Sequence, residues 1–118
     1  MFMLNLKQIS NFFKTLSEPI RLRMLILLNK QELCVCDLEN ALKISQPLVS
    51  QHLNKLKNAN LINEKKVGKW KHYYLSKFGK NILNLTCFNI LSKIESNAII
   101  FKDKKNLIKY QKQKIRKC

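Results

Sequence analysis

Apolar residues in this chain recur mostly at helical spacing, and the one interruption is informative. Leu6, Ile9, Phe13 and Leu16, with Phe12 beside them, predict a first amphipathic helix. Ser17 is placed to cap a second, with Pro19 in its first turn, where a missing N–H costs nothing. That helix carries Ile20, Leu22, Met24, Leu25, Leu27 and Leu28, is apolar on most sides, and so belongs at the centre of the core. Val35, Leu38 and Leu42 predict a short third helix ending near Lys43. Ser45 caps a fourth, again with a proline (Pro47) in the first turn, and Val49, Leu53 and Leu56 form its apolar set.

From Leu61 the period changes. Residues 62–66 and 70–75 flank Val67, Gly68 and Lys69 and predict a β-hairpin turning near Gly68. Ser76 opens a long last helix with a broad stripe of Ile82, Leu83, Leu85, Phe88, Leu91 and Ile94. Short helices, a tight turn, a polar-faced helix and a hairpin are the parts of a mainly α winged helix-turn-helix. The first and last helices carry more apolar surface than a small domain covers, which predicts a homodimer through them. The domain is expected over residues 1–100. A lysine-rich tail follows over 101–118, with Asp103 as its only acid; it is either a DNA-contacting arm or a solvated segment, and is expected to be disordered in the free protein and to add modestly to DNA affinity.

Charge sharpens this picture. The 118 residues carry a net charge of +16 with pI near 10, which calls for a polyanionic partner. Eighteen of the 23 basic residues, but only three of the seven acids, follow residue 40. The positive field therefore belongs to one part of the chain. No apolar run approaches the roughly 20 residues of a membrane span, and no secretory signal pattern is seen, so a cytoplasmic protein without a membrane partner is expected. With only two glycines there is no phosphate loop, and no catalytic triad or paired carboxylates occur at plausible spacing. An enzyme is not expected.

Chemistry converges on the fourth helix and the hairpin. Gln46, Ser50, Gln51 and His52 lie in the helix's first two turns, where polar side chains reach base edges in a major groove roughly 12 Å wide. Lys55 and Lys57 suit phosphates. Lys65, Lys66, Lys69, Lys71 and His72 cluster around the turn with Trp70 and Tyr73 among them, as a tip against sugar-phosphate or minor groove requires. The expected partner is double-stranded operator DNA.

Two of four cysteines, Cys34 and Cys36, straddle the start of the third helix. Cys34 stands where Ser, Thr, Asp or Asn normally caps, and Cys36 falls off the face of Val35, Leu38 and Leu42. Because a cap residue is extended, both thiols can converge on one soft ion. A helix N-terminus lowers thiol pKa, favouring the thiolates that bind As(III), Sb(III), Cu(I), Cd(II) or Pb(II). The third helix packs on the fourth, so an ion there would bias the DNA-reading head.

Residues 16–23 (Leu-Ser-Glu-Pro-Ile-Arg-Leu-Arg), 32–38 (Glu-Leu-Cys-Val-Cys-Asp-Leu) and 45–53 (Ser-Gln-Pro-Leu-Val-Ser-Gln-His-Leu) resemble the ArsR/SmtB family of metal-responsive repressors. The resemblance covers roughly residues 5–95. It implies a dimeric repressor of a resistance operon that leaves its operator when As(III) or Sb(III), the inducer, binds Cys34 and Cys36. The family's arsenic site has a third cysteine where this chain has Glu39, which leaves Cys118, Cys87, a partner-subunit thiol or a small cellular thiol as third ligand. The cadmium-sensing branch adds N-terminal cysteines that do not precede Cys34 here. The zinc-type site on the last helix needs histidines, and only Glu95 is present. Two alternatives remain: a thiol-redox repressor on the same fold, with Cys36 and Cys87 as a candidate pair, and a basic RNA- or ribosome-associated protein.

Overall fold

Side-chain caps open the first two helices in the computed structural model, which describes residues 5–86 and 97–113. Helix α1 (Leu6–Leu16) starts in a reciprocal pair: Gln8 N donates to Asn5 Oδ1 at 2.8 Å, and Asn5 N to Gln8 Oε1 at 2.9 Å. Helix α2 (Pro19–Leu28) is capped by Glu18, whose carboxylate accepts from Ile20 N and Arg21 N. Ser17, expected to be that cap, instead ends α1, its hydroxyl donating to Lys14 O at 2.7 Å. A carboxylate one residue later reaches the same orphan donors and adds a favourable charge at the N-terminus.

Strand β1 (Leu33–Cys34) leads directly into α3 (Val35–Leu42), and α4 (Gln46–Asn58) follows after a turn at Lys43, which takes φ +58°. Strands β2 (Ile62–Val67) and β3 (Trp70–Leu75) form the expected hairpin, with Val67 opposite Trp70 and Gly68 at φ +63°, where a side chain would be strained. The sheet has a third strand that periodicity did not predict. β1 pairs antiparallel with β3, Leu33 opposite Tyr73 and Cys34 opposite His72, giving the order β1-β3-β2.

Ser76 opens α5 (Lys77–Thr86) as expected. Its Oγ accepts from Gly79 N at 2.8 Å and donates to Asn60 O at 2.6 Å, tying α5 to the end of α4. Gly79 has no room for a side chain, since a Cβ there would run into the Leu61 carbonyl oxygen. Phe88, Leu91 and Ile94, the far part of the predicted stripe, lie outside the described residues.

Residues 98–112, assigned from sequence mainly to a disordered tail, form a helix instead, α6 (Ala98–Lys112). It packs along α3 and touches α2. Ile100, Asp103 and Leu107 point inward at spacings of three and four. Arg23 of α2 grips Asp103 with two hydrogen bonds of 2.8 Å, and Asn106 Nδ2 donates to Ala41 O at 3.1 Å.

One core joins these elements. Met24, Leu25, Leu27 and Leu28 of α2 pack with Leu38 and Leu42 of α3, Val49, Leu53 and Leu56 of α4, and Ile62 and Leu83. Helix α1 inserts Phe12, whereas Leu6 and Phe13 stay 83% and 63% exposed. Among the described residues no helix is long and apolar enough to cross a membrane.

Candidate nucleic-acid interface and thiol site

Burial of Val49, Leu53 and Leu56 fixes the rotation of α4 and decides which of its polar residues face out. Gln46, Gln51, Lys55 and Lys57 are exposed and Ser50 is half-buried. Gln46 Nε2 donates to Ser50 Oγ at 2.9 Å, which holds the first turn's amide in place. His52 turns away from this surface. It is only 8% exposed, and its Nδ1 lies 3.3 Å from Arg21 Nη1. Its position explains this, since 49, 52, 53 and 56 follow the i, i+3, i+4, i+7 rule of one buried face. His52 therefore supports α4 from behind, contrary to its assignment among the base-reading residues. Lys57 is committed to the wing, ion-paired with Glu64.

The hairpin divides into an anchored base and an outer end. At the base, Glu32 accepts from Lys65 Nζ at 2.8 Å and lies 3.2 Å from His72 Nδ1. These two basic residues, expected at the tip, hold the wing to the segment before β1. Lys66 and Lys71 face each other across the strands, and Lys69 sits 5.9 Å over the Trp70 ring. Lys71 lies 3.9 Å from Glu64, and Lys65 is 5.7 Å over Tyr74. Sequence gave no sign that Glu32 and Glu64 are the anchors, because their partners are seven and more positions away.

Between α4 and the wing is an open cleft of about 320 Å³ lined by Val35, Cys36, Gln46, Ser50, Trp70, Lys71 and Tyr73. It brings together the first turn of the reading helix, a wing lysine and one of the paired cysteines.

The two cysteines occupy different environments. Cys34 is 2% exposed at the strand–helix junction, with Sγ 3.2 Å from Asp37 Oδ2; that carboxylate also accepts from Cys34 N at 3.0 Å. Cys36 is a half-buried thiol at the cleft. Burial pushes the Cys36 thiol above its ordinary pKa, and Glu39 and Asp37 add to that shift. The expected lowering by the helix N-terminus is thus outweighed by desolvation and two nearby carboxylates. Cys87 and Cys118 lie outside the described residues, and among the described residues no cluster of three or more metal-binding side chains occurs.

Comparison with known proteins adds to this geometry. A family model described as bacterial regulatory protein, arsR family, matches residues 18–64. Over 65 residues the chain is 49% identical to the arsenical resistance operon repressor of Escherichia coli (strain K12), covering 54% of this chain and 56% of that protein. HlyU from Vibrio cholerae N16961 is similar in structure, with a TM-score of 0.63 at 30% identity over 71% of this chain and 92% of that one. The homodimeric winged helix-turn-helix DNA-binding domain of Mb0332 from Mycobacterium bovis shares the fold, with a TM-score of 0.68 at 22% identity over 79% and 87% of the two chains. The chain spans 50–58% of the length of the first curated relatives it matches.

Proposed function

The chain belongs to the ArsR family of bacterial regulatory proteins, and from that premise we propose a homodimeric repressor that leaves operator DNA when As(III) or Sb(III) binds its cysteine thiolates. The relatives it matches are transcriptional regulators, not enzymes. The observation that carries the DNA reading is the two-sided character of α4. Its apolar face is buried in the core while Gln46, Gln51 and Lys55 face outward beside a wing bearing Lys66, Lys69 and Lys71. Gln46 and Gln51 supply base-edge contacts and the lysines phosphate contacts. Leu6, Ile9 and Phe13, exposed on α1, support assembly of two copies.

The inducer reading rests on donor chemistry and on the arsenical resistance repressor relative. Cys34 and Cys36, in reduced form, offer soft sulfur donors at one helix start. A third sulfur from Cys118 or Cys87 would complete the set that trivalent arsenic prefers. Drawing Cys36 toward Cys34 would move the wall of the cleft shared with Gln46, Ser50 and Lys71. A second reading on the same fold, in which oxidation releases DNA, rests on the opening of the Cys36 thiol into that cleft. Cys87, the partner expected from sequence for Cys36, lies outside the described residues.

The DNA reading is tested by fluorescence anisotropy of labelled duplexes from the region upstream of the gene. Selective binding to one palindromic duplex is expected. Gln51→Ala should cost about 1–3 kcal/mol on that duplex, and Lys55→Ala should weaken all duplexes alike. Preference for structured RNA, or indifference to duplex sequence, would count against it.

A further inference from the structure

The outer face of α6 carries four lysines that the interface described above does not use. Lys102, Lys105, Lys109 and Lys112 follow one another at spacings of three, four and three, and all are exposed. At 3.6 residues per turn they form one stripe, on the side of the helix opposite Ile100, Asp103 and Leu107. The stripe's direction is fixed, because the Arg23–Asp103 pair and the Asn106–Ala41 hydrogen bond hold the helix against α2 and α3. The same pair takes the one acid of α6 out of the outer surface, Asp103 being 3% exposed. Three of the lysines, with Ile108 and Gln113, frame an open groove of about 460 Å³.

Like charges three and four apart weaken a helix, and an apposed polyanion reverses that cost. The place of α6 says which polyanion. It lies along α3, the helix preceding the reading helix, and in helix-turn-helix docking that preceding helix crosses the sugar-phosphate backbone. Resting on the DNA-binding reading proposed above, we infer that α6 is a second DNA-contacting element, its lysine stripe binding phosphates that flank the sequence read by α4. From Lys102 to Lys112 the stripe runs about 15 Å, the length of roughly four base pairs of duplex.

The test compares wild type with the K102Q/K105Q/K109Q/K112Q variant on one selected duplex, trimmed to its protected core or extended by about five base pairs on each side. Affinity is measured across a potassium chloride series. Wild type is expected to bind the extended duplex more tightly and with a steeper salt dependence. The variant should lose that gain, its log K against log salt slope flattening by about 0.9 for each phosphate contact removed. The K105Q/K112Q variant should show part of the effect, which guards against a folding defect in the quadruple change. A K66Q/K69Q wing variant should flatten the slope on both duplexes alike. Unchanged slope and flank dependence in both α6 variants, with the wing variant affected, would overturn the inference and leave the DNA reading intact. Failure of wild type to bind duplex DNA would overturn both.

Discussion

Arg21 and Arg23 leave the same apolar helix and meet buried polar partners on different neighbours: His52 on α4 and Asp103 on α6. Arg21 also donates from Nε to Thr15 O at 2.7 Å, so it fastens α1 and α4 together. Burial is the main cause lowering the pKa of His52; Glu18 opposes it and Arg21 reinforces it. The folded value therefore lies below the unfolded value of about 6.5, and below that pH the unfolded chain holds more protons. The His52 contribution is full above pH 6.5 and is lost as pH falls through that value toward the lower folded one. Urea unfolding at about pH 7.5 and 5.5 should show lower stability in acid, and His52→Gln should reduce the difference. An equal difference in the variant would place the sensitivity elsewhere. At this scale the outward residues of α4 were legible, because Val49, Leu53 and Leu56 fix its rotation. His52 is the exception: its polarity suggests an outward residue, but its position belongs to the buried row. Asp103, at an inward position of α6, was hidden in the same way. A polar group in a buried row is recognised only with its partner, and both arginines lie far away in sequence.

Among the elements, α6 and β1 are the ones periodicity missed. A lysine-rich run resembles a solvated tail, and the inward row of Ile100, Asp103 and Leu107 is interrupted by charge. A strand of two residues is too short to alternate, and β1 exists because β3 pairs with it. What holds α6 is specific. Asp103→Asn removes the charge from a pair in which Asp103 is buried and Arg23 partly so, and should cost about 2–3 kcal/mol. Limited proteolysis and helical circular dichroism should report undocking of 98–112 before the rest of the domain unfolds. Unchanged protection would show that Ile100, Leu107 and Asn106 suffice to hold the helix. The four helices and hairpin of the DNA-reading unit were legible from their apolar periods, first-turn prolines and turn glycine, although Ser17 does not cap α2 and Ser45, at the N-cap of α4, makes no side-chain cap hydrogen bond.

At the scale of the whole molecule, the charge asymmetry is now placed. Among the described residues, lysines on the exposed side of α4, the outer wing and the outer face of α6 carry much of the basic excess after residue 40, while α2 and the apolar face of α4 meet in the core. The thiol Cys36 opens into the cleft that joins α4 to the wing, so a change at the start of α3 acts on the part of the surface proposed to read DNA. The direct measurement is arsenite titration into the reduced protein bound to its labelled operator duplex, followed by anisotropy. Release of the duplex is expected from wild type, and retention by the Cys34→Ser, Cys36→Ser variant. Retention by wild type, or equal release from the variant, would contradict the inducer reading.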